Sequence, residues 1–170
     1  MKKHILIGFF LLLIPTLYAQ DSISDFMSET GDHSECLSVS ISGRMLRMAA
    51  ESDPKATRDF KKLAKDIDKI KMVSNFSMDS DSKKKLRKIL QSYEELLVVT
   101  ESNQKISMYT IENKGKITEF ILCIESEDTF ILMSILGNFD IKQLSNLSRS
   151  VNINGIEHLE KLDNKTNKQK

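Results

Sequence analysis

Four short strand-like segments in the second half of the chain constrain its fold more than any other feature. Leu96 to Thr100, Lys105 to Glu112, Lys116 to Glu125 and Thr129 to Gly137 are separated by the polar connectors Ser102-Asn103-Gln104, Asn113-Lys114-Gly115 and Ser126-Glu127-Asp128. Connectors this short leave no room for a crossover, so neighbouring strands run antiparallel and form a meander. In the last segment both parities are apolar, Phe130, Leu132 and Leu136 against Ile131, Met133 and Ile135. That pattern predicts a strand at the sheet centre or covered on both faces.

The upstream half mixes periods. Ile23, Phe26, Met27 and Thr30 follow helical spacing and predict a short helix ending near Gly31. From Cys36 to Ser42, apolar Leu37, Val39 and Ile41 alternate with serines, as in a strand with one wetted face. Met45, Leu46, Met48 and Ala49 return to helical intervals. Asp53-Pro54 reads as the entry of a further helix, continued by Phe60, Leu63, Ala64 and Ile67. Ile70, Met72 and Val73 predict a short strand, and Leu86, Ile89, Leu90 and Tyr93 a helical stripe. Asp140 and Gln143 resemble a capping box opening a final helix with Ile141, Leu144, Leu147 and Val151 on one face. The predicted class is α+β, a mostly antiparallel sheet with a C-terminal four-strand meander and helices packed mainly on one face. The order of strands across the sheet stays open.

The N-terminus sets an expectation about compartment. A basic start at Lys2-Lys3, an apolar run from Ile5 to Ile14 and a small residue at Ala19 form a signal-peptide pattern. The apolar run is too short for the roughly 20 residues of a helical span, so no transmembrane span is expected after cleavage. The reading divides the chain into a leader over 1–19, a single α+β domain over 20–161 and a polar tail over 162–170. An exported protein, periplasmic or secreted, follows. Cys36 and Cys123 are the only cysteines; an oxidising compartment permits a bridge between them without requiring one.

Charge and motifs narrow the chemistry. Lys+Arg 25 against Asp+Glu 24 gives a net charge of +1, so no global field selects nucleic acid. With no Trp and three Tyr, the stacking surface of a single-strand binder is missing as well. His33 and His158 stand in no nucleophile or metal arrangement, and no metal or cofactor is expected. Glu125, Glu127 and Asp128 are the carboxylates that acid/base chemistry would draw on, although a hairpin tip usually holds solvated acids. Lys83, Lys84, Lys85, Arg87 and Lys88 form the densest basic run. On a helix it reads as a solubilising face, or as a contact for an anionic surface. If helices covered only one face of the sheet, some of Tyr109, Ile111, Phe120 and Leu122 would be exposed, and such a patch marks a partner; the alternative is that a helix or the N-terminal segment covers it.

The stretch from Gly115 to Phe120, then Asp128 to Ile141 with Leu144 and Leu147, together with Val39-Ser40-Ile41-Ser42-Gly43-Arg44-Met45-Leu46, resembles the exported Bacteroidota proteins grouped as domain of unknown function four-two-five-two. The likeness covers about Ser22 to Ile153. It implies export, one small α+β domain and an association with the envelope or with extracytoplasmic signalling, and it carries over no catalytic or ligand residue. The expected function is an exported, non-enzymatic binding domain of the cell envelope with a protein partner. The alternatives are an envelope-acting enzyme using the carboxylates, or an anionic-surface binder working through the basic helix.

Overall fold

A computed structural model of the chain describes residues 22–32, 36–76, 78–101 and 103–143. The expected leader, His33, Leu144, Leu147, Val151, His158 and the tail lie outside the described residues. In chain order the elements are α1 (Ile23–Gly31), β1 (Leu37–Ser42), α2 (Gly43–Ser52), α3 (Arg58–Asp66), β2 (Ile67–Phe76), α4 (Ser80–Leu90), β3 (Glu94–Glu101), β4 (Gln104–Asn113), β5 (Lys116–Ser126) and β6 (Phe130–Phe139).

The helix starts follow from side-chain oxygens that meet orphan backbone amides. Ser22, Ser42, Thr57 and Asp79 cap α1, α2, α3 and α4 in turn. Asp53-Pro54 is a turn and not a helix entry: the Asp53 carboxylate accepts from the Lys55 amide at 2.8 Å, and the helix waits for Thr57. Ile67 fits the helical stripe at i+7 yet opens β2, because its backbone pairs with Gly137 of β6. After β6, Asp140 and Gln143 form the reciprocal box: each side chain accepts from the other's amide, at 3.0 and 2.9 Å.

All six strands are antiparallel, in the order β1-β2-β6-β5-β4-β3. The class is α+β, and β3 to β6 run as the expected meander. β2 returns to pair with β6, which places β6 inside the sheet and explains the apolar residues on both its parities. The β4–β5 hairpin turns on Lys114 and Gly115, both with positive φ, 52° and 75°. These are the conformations a two-residue type I′ turn demands.

The helices divide between the two faces of the sheet rather than gathering mainly on one. The physical reason is visible in β5, where Phe120, Leu122 and Ile124 enter one core and Ile121 and Cys123 the other. On the front face Leu63 of α3 and Leu46 of α2 pack with Ile106, Met108, Phe120, Leu122, Ile135 and Phe139. On the back face Ile23, Phe26 and Met27 of α1 and Leu86 and Ile89 of α4 pack with Val73, Ile121, Cys123, Phe130 and Leu132. Burial of apolar surface at about 25 cal/mol per Å² drives both layers.

Two glycines hold the α3–β2 corner from opposite sides. A Cβ at Gly43 would lie 2.1 Å from the Ile67 carbonyl oxygen, and one at Gly137 would lie 2.2 Å from that of Asp66. Backbone oxygens have nowhere to go, so only glycine admits this approach.

Candidate functional site

The back face carries an open pocket where α4 crosses β4 and β5. Ser107 and Cys123 are register partners on that face. Two small side chains opposite each other leave a hollow that larger residues would fill. Leu86 and Leu90 of α4, Met78 before it, and Phe130 of β6 wall the hollow, and Tyr109 closes one side. The space amounts to ≈ 80 Å³, room for a few waters or one apolar side chain.

Its rim is charged and mostly positive. Lys83 and Arg87 reach it from α4 and Lys105 from β4, with Glu125 of β5 as the one carboxylate lining it among the described residues. Lys83 Nζ stands 3.0 Å from Glu125 Oε1, so this pair is internally neutralised and Arg87 and Lys105 set the sign of the opening. At the floor, burial pushes the Cys123 thiol from 9.0 up to about 12, with Glu125 adding in the same direction and Lys105 opposing. The thiol is therefore a small apolar floor group at neutral pH and not a nucleophile. Burial likewise raises the Tyr109 phenol above its usual value, opposed by a hydrogen bond with Ser107. Both cysteines are free thiols in this structure.

The residues singled out from sequence fare differently. Phe120 and Leu122 are each 1% exposed and belong to the front core, so neither offers a surface. The covered front face is the reason: both parities of β5 are buried. Tyr109 is half-buried on the back face, and Ile111, two residues along the same strand, is also half-buried. Of the basic run, Lys83 pairs with Glu125, Lys84 with Asp81 at 3.1 Å and Lys85 with Glu29 at 2.6 Å. Arg87 and Lys88 are exposed, and Arg87 alone joins Lys83 at the pocket.

Glu125, Glu127 and Asp128 do come together, around a smaller depression of ≈ 40 Å³ at the β5–β6 turn. Glu125 is committed to Lys83, and Glu127 accepts from Asn103 Nδ2 at 3.2 Å. Asp79, which resembles the start of a calcium loop in sequence, spends one carboxylate oxygen on the amides of Asp81 and Ser82. Among the described residues no group of three or more His, Cys, Asp or Glu side chains is placed to hold a metal ion. No helix among them is long and apolar enough to cross a membrane.

The pocket, the front core, the back core apart from Ile23 and all six strands fall within residues 26–147, which match one family model. The chain belongs to the family described as Domain of unknown function (DUF4252). The matched span of this DUF4252 domain begins inside α1 and includes every residue that lines the pocket. No curated protein and no solved structure matches the chain.

The lining residues Met78, Leu86, Leu90, Lys105, Ser107, Cys123 and Phe130 are the part of the site that sequence reasoning missed. A weak signal existed in Ser107 and Cys123, small residues inside otherwise bulky strands. It becomes informative only once the register sets them side by side.

Proposed function

We propose that the protein is an exported, non-enzymatic binding domain of the cell envelope that engages a partner protein through the pocket beneath α4. One observation carries this reading: a hollow of side-chain size, walled by Met78, Leu86, Leu90 and Phe130, lies under a rim with Lys83, Arg87 and Lys105 against a single carboxylate among the described residues. The matching ligand group is an apolar side chain with a carboxylate beside it, as in a partner segment pairing Leu or Phe with Asp or Glu. An apolar anchor in a pocket gives affinity, and the charges around it give orientation and on-rate. The signal-peptide pattern at Lys2 to Ala19 supports export.

The test is a titration, followed by backbone amide NMR, with short peptides that present Leu flanked by Asp and with the same peptides carrying Lys in place of Asp. The acidic peptide is expected to shift the resonances of Leu86, Leu90, Ser107 and Cys123, and Lys105→Glu to abolish the shifts. Equal binding of the two peptides, or shifts confined to other surfaces, would contradict the proposal. The carboxylate-enzyme reading predicts instead that Glu125→Gln or Glu127→Gln removes a turnover, and their pairing with Lys83 and Asn103 gives it no support.

A further inference from the structure

We propose that the α2–α3 layer is a docking face for an anionic lipid surface. The proposal is independent of the pocket reading, since the pocket lies on the opposite face of the sheet.

The argument starts from where α2 points its residues. Gly43, Leu46 and Ala50 face the protein, and the opposite side of the helix carries Arg44, Met45, Met48 and Ser52. Met45 is 64% exposed and Met48 58%, the two most exposed of the large apolar side chains among the described residues. They sit three positions apart, so they project together. α3 buries Leu63 and Ala64 and exposes Arg58, Lys62 and Lys65. Both helices pack over the same face of the sheet and against each other, so the methionine pair and the basic stripe belong to one outer layer.

Charge identifies the occupant. Arg44, Arg58, Lys62 and Lys65 enter no ion pair among the described residues, unlike Lys83, Lys84 and Lys85 of α4. The acids on these two helices and the turn between them are Glu51, Asp53, Asp59 and Asp66, against Arg44, Arg47, Lys55, Arg58, Lys61, Lys62 and Lys65, and the Asp66 carboxylate already accepts from Gln143 Nε2 at 2.7 Å. Two flexible thioether side chains exposed on one side of α2 suit a surface that yields to them. A lipid interface does so, taking in apolar side chains to the level of the acyl boundary while anionic headgroups attract flanking Lys and Arg. An acidic protein would have to offer pre-formed holes for both methionines. A protein held by α2 and α3 would turn its back-face pocket away from the bilayer, toward solvent.

The experiment is co-sedimentation of the full mature chain with vesicles of phosphatidylcholine alone or containing phosphatidylglycerol, at low and high salt. Binding is expected only to the anionic vesicles, and salt should weaken it. Arg58→Ser with Lys62→Ser and Lys65→Ser should weaken it by roughly a hundredfold, from the attraction expected per basic residue near an anionic surface. Met45→Ser with Met48→Ser should weaken it by about tenfold, as for lost apolar insertion. The control triple Lys84→Ser, Lys85→Ser, Lys88→Ser, on α4 and outside the pocket lining, should bind as the parent does. Circular dichroism verifies that each surface variant is folded. Absence of binding, equal binding to neutral vesicles, or a loss confined to the α4 triple would overturn the proposal. So would retention by polyaspartate beads without retention by vesicles.

Discussion

The phenol of Tyr93 donates to Glu119 Oε2 at 2.8 Å, and the other oxygen of the same carboxylate accepts from the Ser134 hydroxyl at 2.8 Å. Glu119 stands on β5, Ser134 on β6 and Tyr93 in the turn after α4. The carboxylate thereby ties the end of α4 to the sheet and holds one edge of the layer that roofs the pocket. Tyr93→Phe keeps the ring and removes the donor. It should destabilise the fold by about 1–2 kcal/mol, the range for a hydrogen bond to a charged group that water can partly replace, as read by urea unfolding. An unchanged midpoint would mean that the contact is incidental.

The glycine pair at the α3–β2 corner predicts a sharper loss. In Gly43→Ala and Gly137→Ala the new methyl meets a backbone carbonyl at close to 2 Å, so strand or helix must shift. Each should cost about 1–3 kcal/mol or more, the range for overpacking. Gly31→Ala is the informative comparison. Its nearest obstacles are the Ser38 hydroxyl at 2.9 Å, which can rotate away, and the Ser38 Cβ at 3.1 Å, which must give slightly, so its melting temperature should fall less.

Two substitutions should stabilise. Lys114 adopts φ 52° in the β4–β5 turn, and Lys114→Asn supplies a residue that tolerates the left-handed region, worth roughly 0.5–1 kcal/mol. Thr110 is fully buried and its hydroxyl has no hydrogen-bond partner. Thr110→Val removes that unsatisfied group and should be neutral or stabilising by up to about 1–2 kcal/mol. Loss of stability in both variants would show that the turn or the core around Thr110 is arranged differently.

Alkaline pH should unfold the protein in a defined window. The folded state holds the Cys123 thiol up to about 12 against 9.0, mainly through burial, and it holds Tyr93 above 10.0 through burial and then Glu119. Both groups keep their protons in the fold where the unfolded chain releases them. Stability is therefore full below pH 9 and falls as pH rises from about 9, with a slope near 1.4 kcal/mol per unit for each such proton. Cys123→Ala should remove the thiol's share of that slope. In the native protein at neutral pH an alkylating reagent should label the half-buried Cys36 well before Cys123.

The meander was legible in the sequence because short polar connectors separate four strand-length apolar segments, and because β6 shows apolar residues on both parities. The division of helices between faces was legible in part: Ile121 and Cys123 alternate with Phe120 and Leu122, and no single layer of helices can cover both sets. Ile67 was misplaced because its i+7 spacing suits α3 as well as β2. Only its pairing with Gly137, seventy residues away in sequence, decides between them. The pocket was illegible for the same kind of reason. Ser107 and Cys123 become a hollow only when β4 and β5 are in register and α4 lies across them.

The central claim is that the hollow beneath α4 receives an apolar side chain of an envelope protein. Its most direct test places a photo-crosslinking residue at Arg87 in the full chain, expressed in its own cells, with and without Leu90→Asp in the pocket wall. A discrete protein adduct that disappears with Leu90→Asp is the predicted result. An adduct that is indifferent to Leu90→Asp, or none at position 87 while residues on the opposite face crosslink, would contradict it.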